Sequence, residues 1–197
     1  MQWGPRVAGA ERTHDQRRRL QLVFQSADTA LNPAHQVSDI VGRPLTFFHG
    51  LAGDARVRRA RELMDMVRLG PELLDRRPGE LSGGQKQRIS IARALAAEPE
   101  LIICDEVTSA LDQIVQEEIL SLLMRLQKET KVSYLFITHD IATVRAISDE
   151  IVVMHQGRVV QQGPKSEVLN PPHPPYTELL LSSVPEMDPD WLTRLLA

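Results

Sequence analysis

The sequence predicts an α/β fold built on a parallel sheet, and three observations carry that prediction. Leu101 to Cys104 is a continuous apolar run, the pattern of a strand buried on both faces of a parallel sheet, and Val132 to Ile137 reads as a second buried strand. Between them Val115, Ile119, Leu122, Leu123 and Leu126 recur at helical spacing. Strand, amphipathic helix, strand is a crossover unit, which is right-handed in nearly all proteins. Third, three apolar runs end in polar groups. Phe24 leads to Gln25, Cys104 to Asp105-Glu106, and Ile137 to Thr138-His139-Asp140. Ligands of open α/β sheets bind beyond the carboxyl ends of the strands. An amide, two carboxylates and an imidazole are therefore expected around one site.

The other elements follow in chain order. The first 19 residues are polar and basic, and the Arg17-Arg18-Arg19 run reads as a solvated face. Leu20-Gln21-Leu22-Val23-Phe24 reads as a short strand, and Ser26 to Pro33 as a turn-rich stretch. From about Val37 to Arg77 the pattern is helical. Ala60, Leu63, Met64 and Val67 fall at i, i+3, i+4 and i+7, with arginines on the other faces, until Pro78-Gly79 breaks the segment. Ser82 opens a new helix, because Ser82 and Gln85 have the spacing of a capping box. Ile89, Ala92 and Ala96 mark its buried face, and Glu98-Pro99 ends it. Ile151 to Met154 and Val159 to Gln162 flank a hairpin turn at His155-Gln156-Gly157-Arg158. The tail from Gly163 is rich in proline, with a short helix expected around Tyr176 to Ser182.

Composition narrows the function. A chain of 197 residues can bury a real core. Its net charge of -3 argues for no nucleic-acid partner. The single cysteine, Cys104, excludes a disulfide within the chain, fits a reducing cytosol, and reads as a small core residue with no redox role. No apolar run approaches a bilayer span, so membrane association is expected to go through a partner. His35, His49, His155 and His173 read as surface or packing residues. Met64 and Met66 read as core and rim of one helix, and Gly163-Pro164-Lys165-Ser166 is not a phosphate loop.

The residues at the strand ends suit phosphoryl transfer to water. One carboxylate holds Mg²⁺ and the other orients or deprotonates the attacking water. The imidazole contacts the γ-phosphate, and the amide senses metal and water. A further feature limits the chain. No glycine in it is followed by lysine, so the phosphate-cradling G-x-x-x-x-G-K-[ST] loop is absent from these residues.

Leu81-Ser82-Gly83-Gly84-Gln85, then Leu101 to Asp105-Glu106, then Ser109-Ala110-Leu111-Asp112, then Thr138-His139-Asp140 occur in that order. In order and spacing they resemble the signature loop, Walker B strand, D-loop and switch of ATP-binding-cassette (ABC) ATPases. The resemblance covers about Leu20 to Pro185. It implies a P-loop NTPase-like core with an inserted helical subdomain, shortened at its N-terminus. About 60–80 residues carrying Walker A are expected ahead of Gln25 in the family, where this chain has 24. Trp3-Gly4 resembles the end of the hairpin before the Q-loop strand. The expected division is residues 1–34 for the core sheet with the Q-loop, 35–98 for the helical subdomain, 99–165 for the α/β core and 166–197 for a C-terminal extension.

By the same resemblance Gln25 is the Q-loop glutamine, touching metal and water, and Asp105 the Mg²⁺-holding aspartate. Glu106 is the catalytic glutamate and His139 the switch histidine. Ser82, Gly83, Gly84 and Gln85, with Asp112, would contact ATP held by an opposite subunit. Free N–H groups and the dipole at a helix start suit a phosphate there. Asp112 also reads as a plain helix cap. Asn170-Pro171-Pro172-His173-Pro174-Pro175-Tyr176-Thr177, with Leu31-Asn32-Pro33 after the Q-loop, is similar to the oligopeptide/dipeptide/nickel importer branch. It departs by an extra proline before Tyr176 and by Val107, where the family has proline. The tail lacks the cysteines of an iron–sulfur cluster.

The implied partners are a second ABC ATPase subunit, identical or a paralogue, transmembrane permease subunits and, indirectly, an extracytoplasmic solute-binding protein. The implied place is the cytoplasmic face of the inner membrane. Phe47-Phe48 either touch a permease or pack in the core. Two other readings stand beside an importer ATPase. One is a non-hydrolysing partner that donates only the signature loop. The other is a DNA-repair or chromosome-maintenance head, which would need long coiled-coil heptads.

Overall fold

The computed structural model describes residues 12–183. Trp3-Gly4 and Val184-Pro185 lie outside them. Three strands, β1 (Leu20–Val23), β2 (Leu101–Asp105) and β3 (Ser133–Ile137), form a parallel sheet in the order β1-β2-β3. The register sets Leu22 beside Ile103 and Ile103 beside Leu135. Between β2 and β3 runs α6 (Gln113–Thr130), whose Ile119, Leu122, Leu123 and Leu126 are buried. A fully buried aliphatic side chain of this size contributes about 1.5–3 kcal/mol, so this stripe is what holds the crossover on the sheet.

Among the described residues only one face of the sheet is covered. Val23, Ile102 and Cys104 are buried with the helices in a single core. On the opposite face Leu22, Leu135 and Ile137 remain 37%, 48% and 49% exposed, and Phe24, just beyond β1, 47%. The expectation of strands buried on both faces is met on one face only among residues 12–183. Alternation is hidden when both strand faces are apolar, so an apolar run reveals what the faces can bury and not what covers them.

The segment after β1 splits into more pieces than its periodicity suggests. A short helix, α2 (Ala27–Ala30), precedes α3 (Val37–His49) and α4 (Gly53–Met66). Gly50 and Gly53 both have positive φ, and the backbone N–H of Gly50 caps the end of α3. The single helical stretch expected over Val37 to Arg77 is therefore two helices followed by 3-10 turns at Pro71–Asp75 and Pro78–Glu80. Met64 is buried and Met66 packs at the edge of the core. Phe47 and Phe48 meet edge to face and with His14, and Phe47 stays mostly exposed.

The polar N-terminal stretch holds a helix, α1 (His14–Arg19), that its composition hides. Thr13 and Gln16 close a complete capping box. The arginine run is not simply solvated. Arg18 donates to the Glu98 carbonyl at 2.9 Å and Arg19 pairs with Glu100 at 2.6 Å, which seats α1 beside the start of β2.

The last part builds a second, smaller core. After α7 (Ile141–Ile147), β4 (Glu150–His155) and β5 (Arg158–Pro164) form an antiparallel hairpin. Gln156 and Gly157 both take positive φ at its turn. Ile151 and Val153 pack with Val168 of α8 (Lys165–Val168) and with Tyr176 and Leu180 of α9 (Pro175–Ser182). His155 stacks edge-on against Tyr176 with ring centres 3.9 Å apart, and His173 is nearly buried.

Candidate active site at the carboxyl ends of the strands

Gln25, Glu106 and His139 are joined by hydrogen bonds although 81 and 33 residues separate them in sequence. Each stands just past the carboxyl end of its strand, so the parallel register alone brings them to one end of the sheet. Gln25 Nε2 donates to Glu106 Oε2 at 2.7 Å and to Ser109 Oγ at 3.1 Å. His139 Nδ1 lies 3.1 Å from Glu106 Oε1. An ionised carboxylate can only accept, so the Nδ1 facing it carries the proton. The His139 side chain is 76% exposed, and Glu106 is half-buried beneath it.

The backbone around Glu106 is unusual and tightly held. Glu106 has φ +46°, a left-handed conformation that costs a residue with a Cβ about 1–2 kcal/mol. Its N–H still donates to the Ile137 carbonyl at 2.9 Å, prolonging the β2–β3 ladder by one bond. Its carbonyl accepts the Ser109 N–H at 3.1 Å and Ser109 Oγ at 3.0 Å. Val107, where the family has proline, is buried in the core. Strain kept by this many bonds belongs to positions where geometry serves function.

Asp105 closes β2 next to Ile137 of β3 and is half-buried. Among the described residues no three His, Cys, Asp or Glu gather as a metal site. Mg²⁺ needs only one or two protein carboxylates, together with substrate phosphates and water. Asp105 and the Gln25 amide oxygen are chemically fit to hold it.

Asp112 caps α6, accepting the Val115 N–H at 3.1 Å. One residue at this loop escaped the sequence reading. Gln116 donates its amide to the carbonyls of Thr108 and Leu111, at 2.9 and 3.0 Å, and so staples the loop to α6. Its position four residues after a capping aspartate was the signal available.

The signature residues open α5 (Gly83–Leu95). Ser82 Oγ accepts the Gln85 N–H at 3.3 Å, and Gln85 Oε1 accepts the Ser82 N–H at 2.9 Å. Ser82 and Gly83 are exposed. Gly83 and Gly84 lie against Leu111 and Val115, whereas the Glu106 carboxylate is engaged by Gln25 and His139. A cleft of about 410 Å³ lined by Arg12, Gln16, Arg19, Leu20, Glu100 and Leu101 lies at the amino ends of β1 and β2. That is the opposite end of the sheet from Glu106.

Comparison with known proteins decides the family. The family model described as ABC transporter matches residues 3–109. The chain belongs to the ABC transporter family. A second family model, described as the C-terminal region of oligopeptide/dipeptide transporters, matches residues 160–196 of this ABC chain. The dipeptide transport ATP-binding protein DppF of Escherichia coli is 44% identical over 174 residues, 88% of this chain and 52% of that protein. The oligopeptide transport ATP-binding protein OppF of Bacillus subtilis is 46% identical over 176 residues, 88% of this chain and 57% of that one. This ABC chain thus spans about half the length of the curated relatives it matches.

Two solved structures show the same fold. One is cbiO1 from Clostridium perfringens, part of the ABC transporter complex cbiONQ. It is 34% identical with TM-score 0.70, covering 79% of this chain and 61% of that one. The other is the ATP-binding cassette MJ0796, a dimer in a post-hydrolysis state bound to ADP and Pi. It is 34% identical with TM-score 0.63, covering 74% and 63%. The fold class read from the sequence, an α/β ABC ATPase core, is the one these structures have.

Proposed function

We propose that these residues are the hydrolytic and signature-bearing part of an ATP-binding subunit that powers an ABC importer for peptides or a related small solute. The observation that carries this is the bonded set Gln25, Glu106 and His139 at one end of a parallel sheet. The similarity of the tail to peptide transporters supports the solute class. The division at residues 34, 98 and 165 belongs to the same reading.

In this reading Glu106 is the general base. Its two oxygens are occupied at rest, Oε2 by Gln25 and Oε1 by His139. Water enters by replacing one of these partners, and Glu106 then takes its proton. Gln25, released from Oε2, turns toward metal and water. His139 presents its ring to the charge that develops on the transferred group. Mg·ATP, when bound, supplies the electrophilic phosphorus and the divalent charge, with Asp105 and Gln25 as the metal's protein ligands. Ser82, Gly83, Gly84 and Gln85, with Asp112, address nucleotide held by a second ATPase subunit. The relative MJ0796 is dimeric, which supports a site shared between two chains.

Among the described residues no helix is long and apolar enough to cross a membrane. We assign the helical segment from about Val37 to Arg77, which includes α3 and α4, to docking on permease subunits at the cytoplasmic face of the inner membrane. A solute-binding protein is linked only through the permease. Crosslinks from this segment to permease loops are expected, and crosslinks from the C-terminal tail alone would overturn the assignment.

Purified as these 197 residues, the protein should not turn over ATP, because no G-x-x-x-x-G-K-[ST] loop holds the β- and γ-phosphates. A longer chain carrying that loop should hydrolyse ATP, and Glu106→Gln in it should abolish hydrolysis while keeping ATP binding. Hydrolysis surviving Glu106→Gln would sink the role given to Glu106. The exposed Ser82 and Gly83 at the start of α5 also fit a second reading, a partner that lends only its signature loop. Adding the chain to a cassette that has its own phosphate loop should then stimulate that cassette, and Ser82→Arg should remove the stimulation.

A further inference from the structure

The segment that follows Gln25 is fastened to the signature helix by two cations on one stripe of α5. Lys86 and Arg93 are seven residues apart, two helical turns, and so lie on the same face. Lys86 Nζ pairs with Asp28 Oδ1 at 2.5 Å, with Lys86 mostly buried and Asp28 exposed. Arg93 Nη1 donates to the Ala30 carbonyl at 2.7 Å. That carbonyl stands at the end of α2, where the helix supplies no N–H donor of its own. Ser90, between the two cations on the same stripe, is fully buried and small, and α2 packs on α5. Ala27 and Leu31 are buried on either side of the clamped residues.

At its other end the same segment carries the amide that touches Glu106 and Ser109. Gln25 thus lies three residues from the clamped Asp28 and five from the clamped Ala30. We propose that Lys86 and Arg93 are positioning residues: by gripping Asp28 and the Ala30 carbonyl they lock residues 25–31 to α5, so the helix that starts at Ser82 places the Gln25 amide on Glu106. The link matters for hydrolysis only if Glu106 is the base proposed above, but it is measured without ATP.

Amide hydrogen exchange on the intact chain is the test. The reporters are the N–H groups of Ala30 and Leu31, bonded to Ser26 and Ala27, and that of Ser109, bonded to Glu106. Asp28→Asn and Lys86→Gln should each speed exchange at Ala30 and Leu31 about two- to fivefold. Arg93→Gln should do so about tenfold. In all three, Ser109 should speed up as well, while the interior amides of α6 should not. Arg93→Lys, which keeps a donor, should recover part of the protection. The swapped pair Asp28→Lys with Lys86→Asp should recover most of what either single change loses. Gln25→Ala should speed Ser109 alone. If the clamp variants leave Ser109 at its original rate, or the swapped pair recovers nothing, the link does not exist. If Arg93→Gln does not fold, Asp28→Asn at its exposed position carries the same two readouts. Failure here leaves the hydrolytic reading untouched, because ATP turnover by a longer chain tests that separately.

Discussion

Glu106 combines two demands that a side chain rarely meets together. It must present a carboxylate and it must sit at φ +46°. Removing the carboxylate therefore has an unusual stability order. Glycine normally destabilises relative to alanine because its unfolded chain is freer, but at positive φ the alanine Cβ is strained. Glu106→Gly should be more stable than Glu106→Ala by about 1 kcal/mol. Urea unfolding of the two variants decides it, and a more stable alanine variant would contradict this backbone. Nothing in the sequence around Asp105-Glu106 announces the left-handed turn, because it is imposed by the bond to Ile137 and the turn closed by Ser109. The identity of the acid was legible from its place at a strand end. Its conformation was not. Cys104 is the opposite case. Its burial was readable from the apolar run, and burial pushes its thiol up to about 12. With so little thiolate at neutral pH, maleimide should label it only at the rate of unfolding. Labelling of the native protein within minutes would show that the strand opens locally.

At the scale of elements the two signature glycines are not equivalent. A Cβ on Gly84 would meet Val115 Cγ1 at 2.8 Å, whereas on Gly83 it would stand 3.5 Å from Leu111 Cδ2. Gly84→Ala forces Val115 to move and should cost about 1–3 kcal/mol. Gly83→Ala is an ordinary contact in a first helical turn and should change stability by less than about 0.5 kcal/mol. Thermal unfolding distinguishes them, and equal losses would refute the contact with Val115. Packing within the chain therefore makes no demand for glycine at position 83. The start of α5 was legible because a capping box is local, with Ser82 and Gln85 naming each other across three residues. Thr13 and Gln16 have the same spacing, and α1 was passed over because it buries no apolar residue. The break between α3 and α4 was hidden for a related reason. Both helices contribute to one apolar stripe, and periodicity measures the stripe rather than the backbone that bends beneath it.

Among the described residues helices cover one side of the three-stranded sheet, and Leu22, Leu135 and Ile137 form a half-exposed apolar patch on the other. A parallel sheet uncovered on one side is rare because its apolar side chains attract any apolar surface. The purified chain should therefore self-associate, and Leu135→Lys should lower its average mass in sedimentation with little loss of thermal stability. Unchanged association would mean that this patch is not the sticky one.

The left-handed turn at Glu106 also sets what can drift at that position. Any side chain with a Cβ inherits the strain of φ +46°, and asparagine and glycine carry it most lightly. Once the carboxylate is lost, random substitution should therefore settle on those two residues rather than on alanine, and the backbone outlives the chemistry it was bent for.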